Sequence, residues 1–96
     1  MEPTDLGLVQ AFPNPMRVRT EIRLRLTAGE HVTLDVVDLA GRRIRSLADD
    51  QWLDAGVHAY GWDGRDVSGS RAPGGVYLIA VRAGNRFAVR KLALID

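Results

Sequence analysis

Apolar and polar residues alternate with a period of two through most of the chain. In Thr20-Glu21-Ile22-Arg23-Leu24-Arg25-Leu26-Thr27, Ile22, Leu24 and Leu26 share one face, and Glu21, Arg23 and Arg25 share the other. Successive side chains of a strand point to opposite sides, so this spacing predicts a half-buried strand with one wet face. His31–Asp38 repeats the pattern, with Val32, Leu34 and Val36 in phase, and Gly29-Glu30 between the two runs reads as a short hairpin connection. A third run, Arg43–Ala48, follows the turn Ala40-Gly41-Arg42, and Asp49-Asp50 and Asp54-Ala55-Gly56 are both turn-like.

Val57–Trp62 alternates again, with His58, Tyr60 and Trp62 on one side. Asp63–Ser70 is the longest polar, turn-forming stretch, closed by Pro73-Gly74-Gly75. Val76–Ala83 predicts a strand with Tyr77, Ile79 and Val81 on one face; Ala83-Gly84-Asn85 turns the chain, and Phe87–Ile95 is the last strand. That strand is irregular: Phe87 and Val89 are in one phase, Leu92 and Leu94 in the other. Two arrangements fit, a bulge or bend at Arg90-Lys91 or a terminal stretch covered on both sides. Leu6–Phe12 reads as an edge strand ahead of Pro13-Asn14-Pro15, which leaves residues 1–11 as linker or edge strand and 12–96 as the module. About seven strands, no helical period and turn signals every 8–12 residues predict an all-β antiparallel sandwich, in which two sheets hide the apolar face of each other's strands.

Composition narrows the chemistry more than the fold. Ninety-six residues are one domain's worth of chain, and the absence of cysteine excludes disulfides, thiolate metal sites and thiol nucleophiles. A net charge of +1 supplies no global field toward nucleic acid or membrane. No apolar run approaches the roughly 20 residues of a spanning helix. The start, Met1-Glu2-Pro3-Thr4-Asp5, lacks the basic and apolar regions of a signal peptide.

Few side chains are arranged for catalysis. No serine lies in a recognisable nucleophile elbow, and Gly74-Gly75 leads into a strand rather than a phosphate-binding helix. Asp63, Asp66 and Ser68 could offer oxygens to Ca²⁺, but the loop lacks the alternating carboxylates of a calcium loop. Asp before Gly is read here as a turn cap, so no metal or other cofactor is expected. His58 is read as a core-edge residue and His31 as exposed. Arg23 and Arg25, and the cluster Arg42, Arg43 and Arg45, are read as solvated faces. Trp62, Tyr60 and Tyr77 are read as core aromatics, with the tyrosine hydroxyls at the rim, and Trp52 as an exposed aromatic.

An ordered set of short motifs carries a resemblance over Phe12 to Asp96: Phe12-Pro13-Asn14-Pro15, Val36-Val37-Asp38-Leu39-Ala40-Gly41-Arg42, Leu53-Asp54-Ala55-Gly56-Val57-His58, Trp62-Asp63-Gly64-Arg65-Asp66 with Gly69, Gly74-Gly75-Val76-Tyr77, and Arg90-Lys91-Leu92. The set resembles the type IX secretion (Por) C-terminal sorting domain and is similar to the related immunoglobulin-like domain of flagellar hook-capping proteins. The resemblance implies an immunoglobulin-like sandwich of about seven strands that serves as a non-catalytic appendage of a larger exported bacterial protein. Its expected work is secretion across the outer membrane and cell-surface attachment, with outer-membrane secretion machinery as partner, the parent protein lying before residue 1, and the domain itself monomeric. Residues Arg90, Lys91, Leu92 and Leu94 are the expected contact surface. Asp96 then reads as a native C-terminus and Met1 as an added start.

Type IX modules are often lysine-rich in their last strands, whereas Lys91 is the sole lysine here. Sorting signal, anchor and spacer therefore stay open. The alternatives are an assembly module like that of hook-capping proteins and an accessory carbohydrate-binding module, for which Trp52 is the one plausible platform.

Overall fold

The computed structural model describes residues 9–95 and is all strand: β1 (Val9–Phe12), β2 (Thr20–Leu26), β3 (Glu30–Asp38), β4 (Arg43–Leu53), β5 (Gly56–Trp62), β6 (Gly75–Ala83) and β7 (Arg86–Leu94). They form a three-stranded sheet, β1-β2-β5, and a four-stranded sheet, β4-β3-β6-β7, with every strand pair antiparallel. Residues 9–11 are thus part of an edge strand of the sandwich. The part of the Leu6–Phe12 run before Val9 lies outside the described residues.

The alternation in the sequence becomes the core. Ile22, Leu24 and Leu26 of β2 and Trp62 of β5 are buried, as are Val32, Leu34 and Val36 of β3 and Ile79 and Val81 of β6. Burying each aliphatic side chain of this size is worth about 1.5–3 kcal/mol. Trp62 is the largest fully buried side chain. Its ring meets Tyr77 edge-on at 5.8 Å, and its indole N–H donates to the Arg65 carbonyl at 2.9 Å, which satisfies the one polar atom it brings inside.

Three local expectations are corrected. Gly29-Glu30 does not close a hairpin: β2 lies in one sheet and β3 in the other, and Glu30 already pairs with Leu53. A short polar link serves equally to turn within a sheet or to cross between sheets, and long-range pairing of β3 with β6 decides for the crossing. Gly29 also lies under the Trp52 ring, where a β-carbon would come within 2.6 Å of Cζ2.

Asp49-Asp50 is not a turn between strands but lies inside β4, where the register steps from Gln51 opposite Val32 to Ala48 opposite Leu34. The extra residues bulge outward, Asp50 takes a positive φ of 51°, and its N–H is caught by Thr33 Oγ1 at 3.0 Å. Aspartate tolerates that conformation better than most residues, which is why the same residue type signals a turn and a bulge.

The third correction is β7, which carries no phase change. Its register against β6 runs unbroken from Ala83 opposite Arg86 to Gly75 opposite Leu94. Phe87 and Val89 face outward, 45% and 37% exposed, while Leu92 and Leu94 face the core. Nor is the end covered on both sides, since Ile95 is exposed. The apolar residues change face because β7 is an edge strand. Ala88 and Arg90 take the inward positions where the sandwich opens, and Phe87 is covered instead by the Arg82 guanidinium, 5.7 Å from the ring centre.

The β3–β4 turn shows how tightly the polar links are specified. Asp38 Oδ1 accepts the N–H groups of Ala40 and Arg42 at 3.0 and 2.8 Å, its Oδ2 accepts from Arg42 Nε at 2.8 Å, and Gly41 supplies the required φ of +86°. These donors, the Arg42 N–H first, hold the Asp38 carboxyl below the usual range.

Candidate functional site

The four residues expected to form a contact surface separate by burial. Arg90 and Lys91 are exposed on β7, whereas Leu92 and Leu94 are core residues. A partner could reach the leucines only by opening the sandwich, so as contact residues they are corrected: their role is to seat β7 on the core. What sequence reasoning missed is the opposite wall. Arg90 and Lys91 line a groove of about 530 Å³ shared with all of β1, with Asn14, and with Glu21 and Arg23 on β2. It lies where the edge of one sheet passes the edge of the other. Phe12 stands at the groove with 79% of its surface exposed. The signal for this wall was present in Phe12-Pro13-Asn14-Pro15, a motif that carried the resemblance but no assigned chemistry.

Asn14 ties the two walls. Its Nδ2 donates to the Lys91 carbonyl at 2.9 Å and its Oδ1 accepts the Ala93 N–H at 3.1 Å. Next to it the Met16 N–H donates to the Ala93 carbonyl at 2.8 Å and the Met16 carbonyl accepts the Ile95 N–H at 2.9 Å, a one-residue parallel bridge along the outside of β7. Buried Met16 anchors that clip. Both peptide bonds ahead of Pro13 and Pro15 are cis.

Within the groove the β2 and β7 walls differ in charge. Arg23 donates to Glu21 at 2.6 Å and is answered within its own strand. Arg42, Arg43 and Arg45 each face a carboxylate, of Asp38, Asp35 and Asp63 at 2.8, 3.6 and 3.4 Å. Among the described residues neither Arg90 nor Lys91 has a carboxylate partner; the Arg90 guanidinium donates to the Val89 carbonyl at 3.0 Å.

The 63–70 loop is bound to itself. Asp63 Oδ1 accepts the Arg65 N–H at 3.0 Å, and Asp66 Oδ1 accepts from Ser68 Oγ, Ser68 N and Ser70 N at 2.7, 2.9 and 3.0 Å. These bonds, the Ser68 hydroxyl first, lower the Asp66 pKa and commit its Oδ1 to the turn. Among the described residues no three His, Asp or Glu side chains gather as metal ligands.

His58 Nε2 lies 2.7 Å from the Asp54 carbonyl at the core edge. His31 is exposed, 5.3 Å from the Trp52 ring in an edge contact. Trp52 itself is 55% exposed, with its N–H on Asp54 Oδ1 at 3.1 Å and its ring over Gly29. One ring held in this way is not the aromatic row that would grip a sugar chain.

The chain is similar to known proteins in sequence and in fold. The chain is 41% identical over 56 residues to the basal-body rod modification protein FlgD of Salmonella typhimurium, and 41% identical over 58 residues to that of Escherichia coli. These stretches cover 58% and 60% of this chain but 24% and 25% of the relatives, so the chain matches about a quarter of their length.

Solved structures share the fold over 92% of the chain. A structure of FlgD from P. aeruginosa aligns with a TM-score of 0.61 at 20% identity, over 74% of its length. PorZ, a surface component of the type IX secretion system of Porphyromonas gingivalis, aligns at 0.63 and 23% over 11% of its length. Dimeric latent PorU of the same organism aligns at 0.67 and 20% over 9%. Residues 16–86, well over half of the chain, match the family model of the FlgD Ig-like domain, and the chain belongs to that family.

Proposed function

We propose that this domain is a non-catalytic recognition module of a larger exported bacterial protein. Through its β1–β7 flank it engages outer-membrane secretion machinery, and it directs the parent protein across the outer membrane to the cell surface. The observation that carries the reading is the Arg90–Lys91 pair. It is exposed at an open groove with no carboxylate partner among the described residues, whereas Arg42, Arg43 and Arg45 each face a carboxylate. The fold shared with PorZ supports the link to type IX secretion.

The test is a fusion of residues 12–96 behind a secreted passenger, in a host that has the type IX machinery. Surface delivery is expected, and Arg90→Ala with Lys91→Ala is expected to reduce it while the fusion stays folded. A second reading, an assembly or spacer module as in hook capping, is favoured by the 41% identity to FlgD. A folded fusion that stays periplasmic rejects sorting and leaves the flank as a contact between neighbouring domains.

A further inference from the structure

We propose that the uncovered part of the β7 edge, residues 87–91, is a docking site for an extended acidic polypeptide segment, which joins the four-stranded sheet as a further strand. This names the partner chemistry of the flank assigned above and rests on the reading that the flank recognises a protein.

In an antiparallel ladder alternate residues turn their backbone toward the neighbouring strand and away from it. Ala93 turns away, because its N–H and carbonyl bind Asn14 and Met16 outside the sheet. Lys91, Val89 and Phe87 share its phase. The Lys91 carbonyl is taken by Asn14 and the Val89 carbonyl by Arg90. The N–H groups of Phe87, Val89 and Lys91 face outward with no acceptor among the described residues. The row spans about 13 Å at strand spacing, room for a short extended segment.

Three observations specify the occupant. The protein already extends this ladder with its own Asn14–Met16 clip, so the edge accepts a strand and the open stretch continues an existing one. The groove of about 530 Å³ lies beside it, with exposed Phe12 at its wall, so side chains of an added strand have space and apolar cover. Arg90 and Lys91 are successive residues and lie on opposite faces of the edge, so acidic side chains meet a cation on either face. A second copy of this chain is the wrong occupant, since two β7 edges side by side would bring like charges together. Docking requires the Arg90 guanidinium to leave the Val89 carbonyl and take a carboxylate instead.

The experiment is a titration of the isotope-labelled chain at low salt with a short synthetic peptide alternating Glu and Val. Controls are its Lys-for-Glu counterpart and a version with Pro at the centre. Amide exchange at Phe87, Val89 and Lys91 is expected to slow by about tenfold or more with the Glu peptide alone. Arg90→Glu with Lys91→Glu is expected to weaken binding by about tenfold or more without lowering the melting temperature.

No protection at the highest peptide concentration, equal binding of the Lys peptide, or protection centred on Arg42–Arg45 overturns the proposal, and the two cations then serve to block strand pairing. Surface delivery in the fusion assay without protection here defeats strand docking alone. Protection without delivery defeats sorting alone.

Discussion

The 63–70 loop and the β1–β7 flank both carry polar groups and arginine, yet they are opposite kinds of surface. At the loop, Asp63 and Asp66 are consumed by backbone N–H groups, Arg45 reaches Asp63, and the Arg65 carbonyl caps Trp62. At the flank, among the described residues, the outward N–H groups of Phe87, Val89 and Lys91 have no acceptor, and Arg90 and Lys91 have no carboxylate partner. Polar residues that answer one another hold a fold; those left unanswered on an edge are free to recognise something else.

Substitutions at the two regions should therefore divide between stability and recognition. Trp62→Ala is expected to do the most damage, about 3–5 kcal/mol, because it removes the largest buried side chain and the indole N–H bond to the Arg65 carbonyl. That is a large share of a typical domain stability of about 5–15 kcal/mol. A denaturant titration that leaves the midpoint unchanged would contradict the core assignment.

Within β7 the contrast narrows to neighbouring residues. Leu92→Ala should cost about 2–5 kcal/mol, whereas Arg90→Ala with Lys91→Ala should stay within about 0.5 kcal/mol of the parent. Equal destabilisation would mean that the two cations belong to the fold and not to a contact.

Acid should act on the loop and the β3–β4 turn ahead of the flank. The carboxyls of Asp66 and Asp38 have lowered pKa values because hydrogen-bond donors favour their charged forms. Their contribution is then complete above the ordinary carboxylate pKa of about 3.9 and is lost as pH falls through the lower folded-state values. Melting temperature is expected to drop as pH falls below about 4, and Asp66→Asn should flatten that drop. A flat profile in the parent protein would show that these bonds contribute nothing.

The smallest effect is expected from metal. Millimolar Ca²⁺ or a chelator should leave the melting temperature unmoved, since Asp66 Oδ1 is already saturated by donors. A rise of several degrees with Ca²⁺ would mean that the loop reorganises around a cation, because a ligand of the native state stabilises it.

Much of the fold was legible along the chain. Period-two spacing placed β2, β3, β5 and β6 on their correct faces, and the turns at Ala40-Gly41-Arg42 and Gly84-Asn85 are where Gly and Asn signalled them. Side-chain direction in a strand is a local property, fixed by the pleat, so one sequence suffices to read it. The basic pair Arg90–Lys91 was legible too, as residue identity. The Gly29-Glu30 crossing, the bulge at Asp49-Asp50, the straight run of β7 and the burial of Leu92 and Leu94 depend on which distant strand lies alongside.

The same is true of the candidate site. Phe12 and Asn14 are brought to one groove with Arg90, far away in the chain, by the packing of the two sheet edges and the Asn14 bonds to β7. The amino-acid order alone determined which residues face inward, where most turns fall and that no thiol chemistry is available. Tertiary structure alone decided which strands are edges and which charges are answered, because hydrogen-bond and ion-pair partners are chosen by packing between segments far apart in the chain.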